Sequence, residues 1–480
     1  MTDLLLAHGY FLRNDPLEQR IMRPYVPLGF LYVSSYLKSR GFETAVFDAT
    51  WRDLPDFRVQ LRRLRPRAVG IYANIVTRPF VKEMIAASRA EGIPVVVGGP
   101  DGFARKEVHL ESGADVIVKG EAELTLHELL GRIRDGARPG DELAMAGVTY
   151  RKPGGEIVVG PDRAKIEELD PLPWPDRAAV DLRPYFENWR RVHGETSLAL
   201  ITARGCPYSC AWCSRQVFGK SHRQRTPGNV VLEMLHLKEA YRPDKLWISD
   251  DVLTMKRRWV LDFVDEVKRR DAAIPFEGVT RVNLVDDEIL GALRSIGCFR
   301  LWYGAESGVQ RIVDRMQKGY KVERILAATR EAQSHGIKVG HFIMLGYPTE
   351  TRDDVLGTIR FLDESRPDHF GVAVAFPLEG TRFYEEVKDE IIEENVWTGR
   401  NMNRVSFRTR YPALFYWFAV RLVQSEVPFR RLRREGYASP RNLVRFLALG
   451  AKTATCRAAT YVLAREFAHR VESDAVPASG

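Results

Sequence analysis

No uninterrupted apolar run in the 480 residues approaches the roughly 18 that a membrane-crossing helix requires, so an integral membrane protein is excluded. Cysteine is scarce: there are five, and three of them fall within eight residues, a spacing that argues against a disulfide framework and for metal. Residues 1–195 contain none. The N-terminus, MTDLLLAHGYF, has no basic segment before its apolar run and no small-residue cleavage site after it. A secretory signal is therefore not expected, and cytoplasmic residence is. Neither short-period repeats nor low-complexity tracts occur, and a composition of 45% hydrophobic and 28% charged residues is that of an ordinary soluble chain.

Net charge of one sign is also missing from most of the chain. The formal +9 invites a nucleic-acid reading until it is located. Residues 401–470 hold 14 basic residues against three acidic ones, a net of +11; the last ten residues carry −2, and residues 1–400 sum to zero. The basicity belongs to a C-terminal appendage.

What is present is a double series of β-branched runs alternating with amphipathic segments. Strands are predicted at 4–7, 44–47, 68–72, 94–97 and 116–119, with helices at 28–38, 78–90 and 123–134 between them. This is the rhythm of a doubly wound Rossmann-like parallel sheet over 1–135, whose ligands bind beyond the carboxyl ends of the strands. Residues 136–195 read as a connector, with a hairpin around RKPGGE and an aromatic, Pro-containing stretch at 174–189 that would either pack or line an entrance. A second series follows, with strands near 198–202, 245–249, 276–280, 300–304, 338–344 and 371–376. Six βα units are fewer than the eight of a closed barrel. The predicted architecture is α/β: the Rossmann-like sheet, then an open partial (β/α)6 TIM barrel over 196–390, then a basic helical region over 391–480.

RGCPYSCAWCSR, residues 204–215, sits directly after the first strand of the second series. Its Cys-x3-Cys-x2-Cys spacing supplies three thiolates, Cys206, Cys210 and Cys213, from one loop. A structural zinc site would usually want a fourth ligand and paired knuckles. Three ligands on an iron-sulfur cubane leave one iron open to a substrate or cofactor. The alternatives are zinc, or Cys298 or Cys456 as a fourth ligand; Cys298, in IGCF, otherwise reads as a small buried residue.

At these residues the chain resembles the radical S-adenosylmethionine (SAM) superfamily, with Trp212 at the aromatic position of its cysteine motif. The resemblance implies a 4Fe-4S cluster whose open iron chelates SAM, reductive cleavage to a 5′-deoxyadenosyl radical, and an electron donor such as flavodoxin or ferredoxin. It extends over roughly 195–390, where LWISDD (246–251), TRVN (280–283), YGAESG (303–308), MLGYPTET (344–351) and FPLEGT (376–381) end successive strands. By resemblance Glu306 and Ser307 contact the SAM amino group and ribose, with Trp212, Arg281 and Gly346 completing the set. A cationic, zwitterionic ligand wants a carboxylate, hydroxyls and close backbone approach, which agrees. Taken singly, each motif is equally readable as a turn or a strand-end salt bridge. Asp250 and Asp251 either serve substrate or solvate a strand end. FPLEGT departs from the more usual PYPGT form.

The segments PLGFLYVSSYLKSRGFE, VVVGGPDG and GADVIVKGEAEL resemble the cobalamin-binding domain of a radical-enzyme subgroup that includes anaerobic magnesium-protoporphyrin monomethyl ester cyclases and methyltransferases. Gly98 and Gly99 would let backbone approach the corrin, Asn74 and Thr77 would hydrogen-bond its rim, and Gly120 and Glu121 belong to GEAE, which departs from the commoner GEGE. The plain alternative is an ordinary strand-to-helix turn. No histidine has Asp two positions before it, so cobalt is expected without a histidine ligand; His8 is the one positional candidate.

The resemblance implies a cobalamin-dependent enzyme that methylates an unactivated carbon: one SAM methylates cobalt, a second yields the radical that abstracts hydrogen, and the substrate radical collects the methyl group. The alternative keeps the cofactors but performs oxidative cyclisation or ring rearrangement. RNA modification is disfavoured, because RNA-modifying methylthiotransferases usually carry a further N-terminal cysteine triplet. A non-catalytic cobalamin sensor is disfavoured by the intact cysteine loop. The tail, with YPALFYWFAVRLV at 411–423 beside its arginines, would either cap the barrel or touch the inner face of a membrane, which implies a small, lipid-like or amphipathic substrate.

Overall fold

Aliphatic runs without polar alternation suit a parallel sheet covered on both faces, and they form its strands here. The computed structural model describes residues 2–137, 145–152, 154–392 and 407–474, with side chains through residue 465. Parts of the expected connector and C-terminal region therefore lie outside the described residues.

The first sheet contains β1 (Leu4–His8), β2 (Thr44–Phe47), β3 (Ala68–Tyr72), β4 (Val95–Gly98), β5 (Val116–Val118), β6 (Val148–Arg151) and β7 (Ile157–Val159), in the order β2-β1-β3-β4-β5-β6-β7. The first five are parallel and the last two antiparallel, so the hairpin within the expected connector extends this sheet. Alternate residues of β1 serve opposite cores: Leu4 and Leu6 face one apolar cluster, Leu5 and Ala7 the other. The strand order reverses between β1 and β3, the switch point where doubly wound sheets bind ligands.

The second sheet is parallel throughout: β8 (Ser197–Leu200), β11 (Lys245–Ile248), β12 (Phe276–Thr280), β13 (Cys298–Glu306), β14 (Lys338–Leu345) and β15 (His369–Val374) are neighbours in chain order. Between β8 and β11, the short β9 (Ala203–Arg204) and β10 (Arg223–Gln224) pair across the base of the cysteine loop. β15 does not pair with β8, so the barrel is open. One apolar cluster runs from Leu4 and Leu31 of the first domain through Leu198 and Phe276 to Phe415, joining both domains and the C-terminal helices in a single core.

The helix Arg183–His193 packs: Tyr185 donates to Asp48 Oδ2 at 2.7 Å, and Trp189 Nε1 donates to the carbonyl of Pro24 at 2.9 Å. The apolar run 411–423 opens the helix Ala413–Glu435 and is spent inside, with Phe415, Tyr416, Ala419, Val420, Leu422 and Val423 buried. Helix Pro440–Asp474 lies along it. Among the described residues no helix is long and apolar enough to cross a membrane.

Candidate active site

The cysteine loop is fixed from behind. Asp250, fully enclosed after β11, accepts from the backbone N–H of Thr202 at 2.7 Å and of Ala203 at 3.1 Å, and from the Thr202 hydroxyl. Burial pushes its carboxyl up to about 6. It holds the turn that leads into Arg204 and Cys206, a structural task. Its neighbour Asp251 instead lines a cavity with Cys206 and Cys213. Burial raises the thiols of Cys206 and Cys213, the latter up to about 11, and Asp251 and the neighbouring thiols raise them further. Thiols raised in this way at Cys206 and Cys213 belong to a set that positive charge between them would complete. Among the described residues no three Cys, His, Asp or Glu side chains converge on a point for a single ion.

The strand ends bring the other barrel residues to this loop. Arg281, just past β12, directs Nη1 at Cys210 Sγ at 3.5 Å and stacks over Tyr208, 3.6 Å from the ring centroid. Glu306, ending β13 at a register shift and with φ of +61°, is buried against Lys318 Nζ at 2.9 Å. That ammonium lies 5.6 Å from the Trp212 ring. Gly346, after β14, has φ of +81° and lies under Tyr416, where a Cβ would come within 3.1 Å of the ring. Its N–H donates to Glu350 Oε2 at 2.5 Å. Ser307 is turned inward: its hydroxyl shares a hydrogen bond with Thr358 at 3.2 Å and accepts from Val309 N–H. Buried Trp212 Nε1 and the Tyr347 hydroxyl have no protein partner, and each is a donor a bound ligand would satisfy.

Two adjoining cavities meet at Val217 and Phe218. The first, about 1380 Å³ counted to its open mouth, lies between the domains, with Asn74, Arg78 and Asp101 on one side and Cys206, Cys213, Asp251 and Glu379 on the other. The second, about 820 Å³ counted likewise, is an apolar slot at the sheet's switch point, lined by Gly70, Gly98, Gly99, Gly120 and Phe30. A large cavity reaching the cysteines and an apolar slot in the sheet suit a corrin and its nucleotide tail. Gly99 is required by the fold itself, since at φ of +93° a Cβ would stand 2.5 Å from the Ala73 carbonyl; at Gly98 a Cβ would make only an ordinary contact with Val118, at 3.9 Å. Thr77 closes the Asn74 turn, its N–H donating to Asn74 Oδ1 at 3.0 Å, and lines neither cavity. His8 is occupied: Nε2 bonds Asp48 at 3.0 Å, and Nδ1 accepts from Tyr10 N–H at 3.2 Å.

Two features escaped the sequence. Arg204, two residues before Cys206, donates to Glu121 at 2.7 Å and Glu123 at 2.6 Å, and Arg223 donates to Glu121 at 2.6 Å. The Glu121 carboxylate is thus committed to a buried clamp between the domains. A second cross-domain pair joins Arg105 to Glu379 at 2.5 Å. Lys318, in MQKGY, is the other; only tertiary structure reveals that it faces Glu306.

Residues 200–362 match the family model of the radical SAM superfamily, and residues 21–130 match that of the B12 binding domain. The chain is 28% identical over 367 residues to an uncharacterized methyltransferase of Pyrococcus horikoshii, covering 75% of this chain and 78% of that one. It is 27% identical over 377 residues to the anaerobic magnesium-protoporphyrin IX monomethyl ester cyclase of Rubrivivax gelatinosus, covering 76% and 67%. In fold it is similar to the cobalamin-dependent S-adenosylmethionine radical enzyme OxsB with aqua-cobalamin bound, with a TM-score of 0.72 at 15% identity over 96% of this chain and 72% of that chain.

Proposed function

We propose, on the premise that this chain belongs to the radical SAM superfamily and carries a B12-binding domain ahead of its barrel, that it transfers a methyl group to an unactivated carbon of a small, amphipathic substrate. The observation that carries the reading is the cavity shared by Cys206 and Cys213 of the barrel and Asn74 and Asp101 of the first domain. It gives one substrate access to both reactive centres. When bound, the 4Fe-4S cluster with SAM supplies a 5′-deoxyadenosyl radical, and cobalamin carries the methyl group.

The residues bind, orient and exclude water. Cys206, Cys210 and Cys213 hold the cluster. Glu306, poised by Lys318, takes the SAM ammonium; Arg281, Trp212 and the Gly346 backbone bound the same space, and Ser307 acts through the Thr358 contact that seats its loop. Gly98, Gly99 and Gly120 form the slot for the corrin's tail, and Asn74, set by Thr77, meets the amide rim. Glu121 serves this site indirectly, by locking the domains together. The Arg204 and Arg105 pairs keep the two centres in register, which is what a short-lived radical demands. An electron donor such as flavodoxin or ferredoxin completes turnover, and the basic C-terminal helices bring the enzyme to a membrane face.

Incubation with methyl-labelled SAM tests the reaction. Label in the product supports methyl transfer. An altered product without label replaces it with cyclisation or ring rearrangement.

A further inference from the structure

An amphipathic helix on a folded protein normally turns its apolar stripe inward. Helix Pro440–Asp474 carries apolar side chains on both faces over residues 440–465: Phe446 stacks on Phe429 at 4.7 Å and Leu463 and Ala464 pack on the core, while a second stripe is left outside. Its packed face carries Thr453, Cys456 and Thr460, all buried. At helical spacing on the opposite face stand Leu443, Leu447, Ala451, Ala454, Ala458 and Val462, each exposed. Val444 and Leu447 are 68% and 61% exposed. Leu and Val side chains exposed at the two ends of one stripe, joined by alanines between, mark an interaction surface, unlike the scattered apolar residues of any protein exterior.

Charge identifies the occupant. Residues 440–465 contain no Asp or Glu, and exposed Arg441, Arg445 and Lys452 flank the stripe on one side. We infer that this face docks on an anionic lipid bilayer, the helix lying in the interface with its aliphatic stripe among the headgroups and its cations on lipid phosphates. A second copy of the chain would present the same cations to the same cations. Arg430 and Arg457 are both held by Glu426, which leaves the flanking set for the surface.

The stripe also leads to the barrel mouth. Tyr461, near its far end, lies 5.4 Å from the guanidinium of Arg352, which begins the helix that follows the Gly346 loop. A bilayer under the stripe therefore lies beside the mouth, where an amphipathic substrate would leave the lipid. This deepens the proposed function and rests on it for the delivery route alone.

The test is flotation of the full-length protein with vesicles of phosphatidylcholine, with and without phosphatidylglycerol, at low and high salt. Binding to the anionic vesicles that weakens with salt is expected. The double substitution Val444→Glu with Leu447→Glu should lower partitioning about tenfold or more, with an unchanged thermal melt because both side chains face solvent. Absence of wild-type binding, or undiminished binding by the variant, overturns the inference. So does light scattering that shows a wild-type dimer dissolved by the same substitutions, which assigns the stripe to a second copy. Methyl transfer is scored separately in solution, so a failure of that reaction leaves the lipid result standing.

Discussion

Lys318 and Glu306 face each other at 2.9 Å inside the barrel mouth, and both are buried. Two opposite charges sealed from water sustain each other, and either one alone is costly. Lys318→Met should therefore destabilise the protein by about 3–5 kcal/mol. Adding Glu306→Gln should recover most of that loss in thermal melts while leaving SAM binding abolished. A Lys318→Met protein that melts with the wild type would show that the pair is not sealed.

Anaerobically reconstituted protein should hold about four irons. Replacing Cys206, Cys210 or Cys213 with Ala should remove the cluster absorbance and all 5′-deoxyadenosine formation. Cys298→Ala and Cys456→Ala should spare both. Cys298 begins β13 at the end away from the mouth, and Cys456 is buried between the two C-terminal helices. Loss of iron from either variant would disprove the three-thiolate set.

Cobalamin should bind with no histidine on cobalt, because both nitrogens of His8 are committed. The one-electron-reduced cobalt form should lack nitrogen splitting in its paramagnetic resonance spectrum. Gly98→Val should fill the apolar slot without backbone strain, lowering corrin uptake while the melt stays close to wild type. A nitrogen triplet that disappears in His8→Ala would refute the assignment.

Glu350 is fully buried, and burial pushes its carboxyl up to about 8 from an ordinary value of 4.5. Between those two values the folded protein keeps a proton that the unfolded chain has lost, so this group makes stability fall as pH rises from about 5 to 8. Glu350→Gln should flatten that part of the profile, by roughly a few kcal/mol across the window. Denaturant titrations of both proteins at pH 5 and pH 8 measure it, and parallel profiles would contradict the shift.

The strands were legible because a parallel sheet buried on both faces needs continuous aliphatic runs, and 44–47, 68–72 and 276–280 needed no adjustment. The cysteine loop was legible because its ligands are close in sequence. The attachment of β6 and β7 to β5 was not, since pairing partners some 30 residues apart leave no local trace. The run at 411–423 was legible as apolar, but its destination depended on whether the barrel had an uncovered flank. The inward hydroxyl of Ser307, the clamp on Glu121 and the pairing of Lys318 were equally hidden, because each is decided by a side chain from a distant segment.

The Arg204 and Arg223 pairs with Glu121 and Glu123 bear on how freely the two halves can be shuffled. A barrel expressed from residue 196 onward would keep two guanidinium groups beside the cysteine loop after losing both counter-charges. An exchange of either half must therefore carry the glutamates and arginines together, and the first domain is no detachable accessory.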